Sequence, residues 1–218
     1  MKISFKKTLI YIIGLIIISL GANVLLRSRL GAGAWDTVSS NLSQWLTITL
    51  GTATAIVYSV VLGFVVLNRK NYGYLLIIGP ILILSFFFDF WDLFIFKDLF
   101  IELFYQRAIL YVIGGYLLSL GLALTILSLY PAMVFEELTF TMMKILKIKK
   151  FFSMRIMIEV FAIILATGFG FLAGIGFGAV NIGSFLLAIV LGPMISMNLY
   201  AFRKLNYFKS MSLLIQKP

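Results

Sequence analysis

The stretch YIIGLIIISLG, residues 11–21, returns later in the chain as YVIGGYLLSLG, residues 111–121. Tyr11, Gly14, Ser19, Leu20 and Gly21 coincide with Tyr111, Gly114, Ser119, Leu120 and Gly121 at a single offset of 100 residues. The match runs on into the next segment. Within residues 35–47, Trp35, Val38, Leu42, Trp45 and Leu46 fall on one helical face, with Asp36, Ser39, Ser40 and Ser43 on the other. In the second copy the apolar face becomes Phe135, Leu138, Met142, Ile145 and Leu146, Asp36 becomes Glu136, and Ser39 becomes Thr139. An apolar stripe at i, i+3, i+7, i+10 and i+11 is that of an amphipathic helix. The expected short helices cover about 35–47 and about 132–147.

Around these segments lie apolar runs near the length of about 20 residues that a helix needs to cross a bilayer. Six are found, at roughly 8–26, 52–67, 74–91, 108–127, 154–173 and 179–199. The expected fold is an all-α membrane protein of two three-helix repeats, residues 1–100 and 101–218, each with a short amphipathic helix after its first span. An odd number of spans per copy makes the second enter the membrane from the opposite side. That inverted arrangement is common among secondary transporters, which place a substrate site between the copies.

Composition agrees with lipid as the solvent. The 218 residues are 62% hydrophobic and 12% charged, with a mean hydropathy of +1.09, against about 25% charged in ordinary soluble domains. The net charge of +10 does not point to nucleic acid, because the basic residues sit between apolar runs. Six alternating spans put fourteen of the eighteen Lys and Arg on one side, in the groups around Lys2–Lys7, Arg69–Lys70, Lys144–Arg155 and Arg203–Lys217. The positive-inside rule makes that side, and both termini, cytoplasmic, in a plasma membrane. The basic start followed by an apolar run resembles a signal peptide, but the run is of span length and is matched inside the chain, so it is read as a retained helix.

There is no cysteine and no histidine. Disulfides, thiolate metal sites and the usual neutral-pH proton shuttle are therefore excluded. No enzyme activity, cofactor or metal is expected, and proton chemistry is left to the eight acidic residues.

The motif LGAGAWD, Leu30–Asp36, lets the backbone turn at Gly31 and Gly33 and sets Asp36 at the start of the short helix, where a carboxylate suits the positive end of the helix dipole. Pro131 and Glu136–Glu137 stand at the corresponding place in the second copy. Together with GPMI, residues 192–195, this layout resembles the YczE/YitT-type family of bacterial integral membrane proteins. That family carries proline where this chain has Ala34, and an aspartate near Ser196. The resemblance implies a topology and no activity.

Glu159, in the fifth span with Arg155 one turn before it, is the acid most deeply set among apolar residues. Acids in spans are costly and mark functional sites or ion pairs. Asp89 and Asp92 read as a solvated end of the third span. The run GFGFLAGIGFG, residues 168–178, lacks the spacing of a dinucleotide fingerprint and reads as close packing followed by a turn. Asn23, Asn181 and Asn198 suit hydrogen bonds between helices, and Pro193 a kink in the last one.

Two functional readings follow. One is a transporter or permease for a small molecule or ion, with Asp36, Glu136 and Glu159 lining a cavity and Asn23 as a polar neighbour. The other is an accessory protein that docks a protein partner, or the anionic leaflet, through the basic cytoplasmic loop 129–151.

Overall fold

The computed structural model describes residues 5–130 and 133–204. Pro131, the expected start of the second short helix at 132, and the terminal basic residues Lys2, Lys209 and Lys217 lie outside the described residues. The described chain is helical throughout, with no strand. The helices are α1 (Phe5–Ser28), α2 (Ala34–Leu46), α3 (Leu50–Arg69), α4 (Ile78–Asp89), α5 (Phe104–Leu127), α6 (Val134–Leu146), α7 (Phe151–Leu172) and α8 (Ile182–Lys204). A 3₁₀ segment, Tyr72–Ile77, leads into α4, and a π segment, Phe90–Ile95, continues it, so that the three form one rod. Six helices are long and apolar enough to cross a membrane: α1, α3, the Tyr72–Ile95 rod, α5, α7 and α8.

The first four spans outrun the apolar runs by up to about one turn, because polar residues there find partners within the protein, whereas the last is shifted, α8 starting at Ile182 rather than 179, after the turn with Gly174, Gly176 and Gly178. Arg27 pairs with Asp92 at 2.6 Å. Arg107 donates to the carbonyls of Ser28 and Arg29 at the end of α1. Asp89 accepts from the Thr49 hydroxyl and the Gly51 amide, at 2.7 and 2.6 Å, and so caps α3. Asp89 and Asp92 are therefore tied to α3 and α1 rather than left as a solvated helix end.

The centre of the molecule is the antiparallel pair α1 and α5. Gly14 faces Gly121, and Gly21 faces Gly114. A Cβ on Gly14 would stand 3.0 Å from the Gly121 carbonyl oxygen, and one on Gly21 2.9 Å from that of Gly114. The two backbones touch, which only glycine permits. Several local details recur 100 residues apart. Ser28 Oγ donates to the Leu25 carbonyl and Ser128 Oγ to that of Thr125, both at 2.6 Å. Positive φ angles pair as Arg29 and Leu129, 56° and 60°, and as Thr47 and Lys147, 53° and 55°.

The short helices are not surface ribbons. At 13 residues each they reach about 20 Å, too little to cross a bilayer. α2 packs chiefly against α7 and also against α3, while α6 packs against α3 and α7. The polar face of α2 is enclosed along with the apolar one, since Ser39, Asn41 and Ser43 are buried. Asn41 explains how: its amide donates to the carbonyls of Ala166 and Phe177, at 2.8 and 3.1 Å, and its oxygen accepts from the Ala179 amide at 2.8 Å. Those bonds hold the turn between α7 and α8, in which Gly174, Gly176 and Gly178 take φ of 74°, 64° and 57°. Pro193 stands inside a continuous α8.

Candidate functional site

Asp36 and Glu136 each occupy the third position of a short helix, after Ala34–Trp35 and Val134–Phe135. The two first turns meet, and Trp35 stacks on Phe135 with ring centroids 4.4 Å apart. Tyr58 of α3 meets Phe135 edge-on at 4.6 Å. Arg155 and Glu159 come from α7. Glu159 is the ninth of its 22 residues, about 12 Å along a rod of roughly 33 Å. It therefore sits nearer the middle of the span than the apolar run starting at 154 suggests, because α7 begins at Phe151.

These side chains line one cavity of about 350 Å³. Its charged lining is Asp36, Glu136, Arg155 and Glu159, and its apolar walls come from α1, α5 and α8 through residues such as Ile18, Leu118 and Leu187. A larger hollow of about 760 Å³ between α2, α3, α6 and α7 carries no charged side chain. The smaller cavity is the one with chemistry in it.

Arg155 divides itself between two acids. Nη2 is 2.7 Å from Glu159 Oε1, and Nη1 is 3.3 Å from Glu136 Oε1. Glu136 Oε2 is buried with no partner. Asp36 is only 8% exposed and, among the described residues, has neither a hydrogen bond nor an ion pair. Gly33, not Asp36, is the N-cap of α2 and gains no side-chain hydrogen bond. A Cβ on Gly33 would press on Asp36 Oδ2, so glycine there leaves room for the carboxylate. Burial, helped by the charge of Glu159, pushes the Asp36 carboxyl from 3.8 up to about 7.

Of the four candidate residues, Asp36, Glu136 and Glu159 share this cavity and Asn23 does not. Asn23 is buried in α1, donating to the carbonyls of Ser19 and Phe88 at 3.0 and 3.3 Å. It ties α1 to α4 and reaches no carboxylate, because its position on α1 faces that helix. The bond between Arg155 and Glu136 joins two helices and leaves no periodic trace in the sequence. The aromatic lining, Trp35, Tyr58, Phe135, Phe151 and Phe152, is equally hard to read there, since rings are common in every span. No group of three metal-ligating side chains occurs among the described residues.

The polar part of α6 is less free than its sequence suggests. Val134, Phe135, Leu138, Thr139 and Thr141 are buried, and Arg69 Nε donates to Thr141 at 3.0 Å. Phe140 and the end of the helix, with Lys144, Ile145 and Leu146, are exposed.

A model of a family of unknown function, DUF6198, matches residues 5–199. No curated protein and no solved structure matches the chain.

Proposed function

The chain belongs to the DUF6198 family, a family of unknown function, and we propose that it is a membrane carrier built as two inverted repeats around one charged cavity. The observation that carries this reading is the origin of the cavity lining. Asp36 comes from the first copy and Glu136, Arg155 and Glu159 from the second, and all face a space large enough for a small solute. Acids placed that deep among spanning helices are costly and are retained where they act on a solute or ion. Inversion is supported by the contacts between α1 and α5. Shifting by 100 residues exchanges Gly14·Gly121 with Gly114·Gly21, and the two helices run in opposite directions. A two-fold axis in the membrane plane accounts for both facts.

The likeness of LGAGAWD and GPMI to the YczE/YitT type is part of the same reading, as are the plasma-membrane location and the cytoplasmic termini drawn from loop charge. The test is uptake by liposomes containing the purified chain, with a solute panel and a proton or sodium gradient. Glu159→Ala is expected to abolish gradient-driven uptake. Uptake unchanged by that substitution removes Glu159 from the mechanism. No uptake of any solute, together with a co-purifying membrane protein, overturns the carrier reading in favour of an accessory role.

A further inference from the structure

Resting on that reading, we propose that the cavity binds a small organic monocation, a protonated amine or quaternary ammonium ion, in exchange for a proton on Asp36. The sign of the ligand follows from counting charge around the space. Three carboxylates, Asp36, Glu136 and Glu159, face one guanidinium, Arg155. The first turns of α2 and α6 also line the cavity through Ala34–Asp36 and Phe135–Glu136, and each helix start carries about half a positive charge. Two such ends and Arg155 offset about two of the three carboxylates. One negative charge remains when Asp36 is ionised, and none when it is protonated. An anion meets repulsion in the first state and no attraction in the second; a monocation completes the first.

Asp36 is only 8% exposed, lines the cavity, and its side chain has no partner among the described residues. The walls then decide what kind of cation fits. Trp35, Tyr58, Phe135, Phe151 and Phe152 share the cavity with it, and aromatic faces attract organic cations. A bare metal ion needs converging oxygen ligands, whereas no three acids among the described residues stand close enough to hold one. The volume of about 350 Å³ suits a ring-bearing amine better than a hydrated ion.

The exchange is a simple balance. Asp36 loses a proton to water as the cation arrives, and regains one as the cation leaves. The charged and titratable groups facing Asp36 are Arg155 and Glu159 on α7, Glu136 on α6 and Tyr58 on α3. The lining residues from α1, α5 and α8 carry none. With the Asp36 carboxyl at about 7, the ionised fraction rises about tenfold between about pH 6 and about pH 8.

The full chain in lipid nanodiscs, titrated calorimetrically with benzyltrimethylammonium, tests this. Binding is expected to tighten about tenfold over that pH interval, with sodium benzoate failing to compete. Asp36→Asn is expected to weaken binding and abolish the pH dependence. Equal binding at both pH values, competition by benzoate, or an Asp36→Asn variant indistinguishable from the parent would overturn the proposal. The comparison of pH and of ligand charge uses the parent protein alone, so it stands even if the variant does not fold. Cation binding without uptake in liposomes supports this site and removes the carrier reading. Uptake of another solute without cation binding leaves the carrier and removes this proposal.

Discussion

Arg155 holds two carboxylates from different helices, and its side chain is 26% exposed. Removing it leaves Glu136 and Glu159 facing each other across a poorly solvated space. Breaking such a pair on one side costs about 3 kcal/mol. Arg155→Met is therefore expected to lower the thermal unfolding temperature in detergent, and Glu159→Gln in the same chain to recover part of the loss. Equal and additive effects would mean that the pairing contributes nothing. Asp36 predicts a pH dependence of stability. Its folded carboxyl, at about 7, lies above the ordinary 3.8. Between those values the folded form keeps a proton that the unfolded form has released. The contribution of this group thus falls as pH rises from about 4 to about 7, and Asp36→Asn should flatten that part of the unfolding profile. Acids can be picked from the sequence because they are rare inside apolar spans. Asn23 could be picked for the same reason, yet its amide serves α4, because polarity alone does not say which way a helical side chain faces.

The helices themselves left clear marks in the sequence. The expected spans and short helices overlap the observed ones, since hydropathy and the 3.6-residue period act locally. What remained hidden was the enclosure of α2. Its serines look like a water-facing side, and the period cannot tell water from a neighbouring carbonyl. Asn41→Leu removes three hydrogen bonds to backbone groups of α7 and of the turn after it, each net bond being about 1 kcal/mol. Faster hydrogen exchange at Ala179, with little change in α1, is the expected result. Unchanged protection would mean that the glycine turn holds itself. At the α1–α5 crossing, Gly21→Val puts branched carbons where a Cβ already stands 2.5 Å from the Leu118 amide nitrogen. Overpacking of this kind costs about 1–3 kcal/mol, and the unfolding temperature should drop accordingly. An unchanged temperature would show that the two helices can separate freely.

At the scale of the whole molecule, α1 and α5 meet at glycine contacts, and acids from α2, α6 and α7 share one cavity. The α1–α5 contact was legible in part, because glycine, serine and tyrosine recur at one spacing among otherwise interchangeable apolar residues. The cavity was not, since its walls come from α1, α2, α3, α5, α6, α7 and α8 at once, and no local pattern records their meeting. On the carrier reading proposed above, two inverted copies around a central site open it to either face of the membrane in turn. The absence of cysteine makes this directly measurable. Ala188, on the cavity wall contributed by α8, is replaced by cysteine, and oriented vesicles are treated with a membrane-impermeant thiol reagent on one side or the other. Labelling is expected from both sides, with benzyltrimethylammonium slowing both reactions. Labelling from one side only, unaffected by the cation, would contradict the carrier reading.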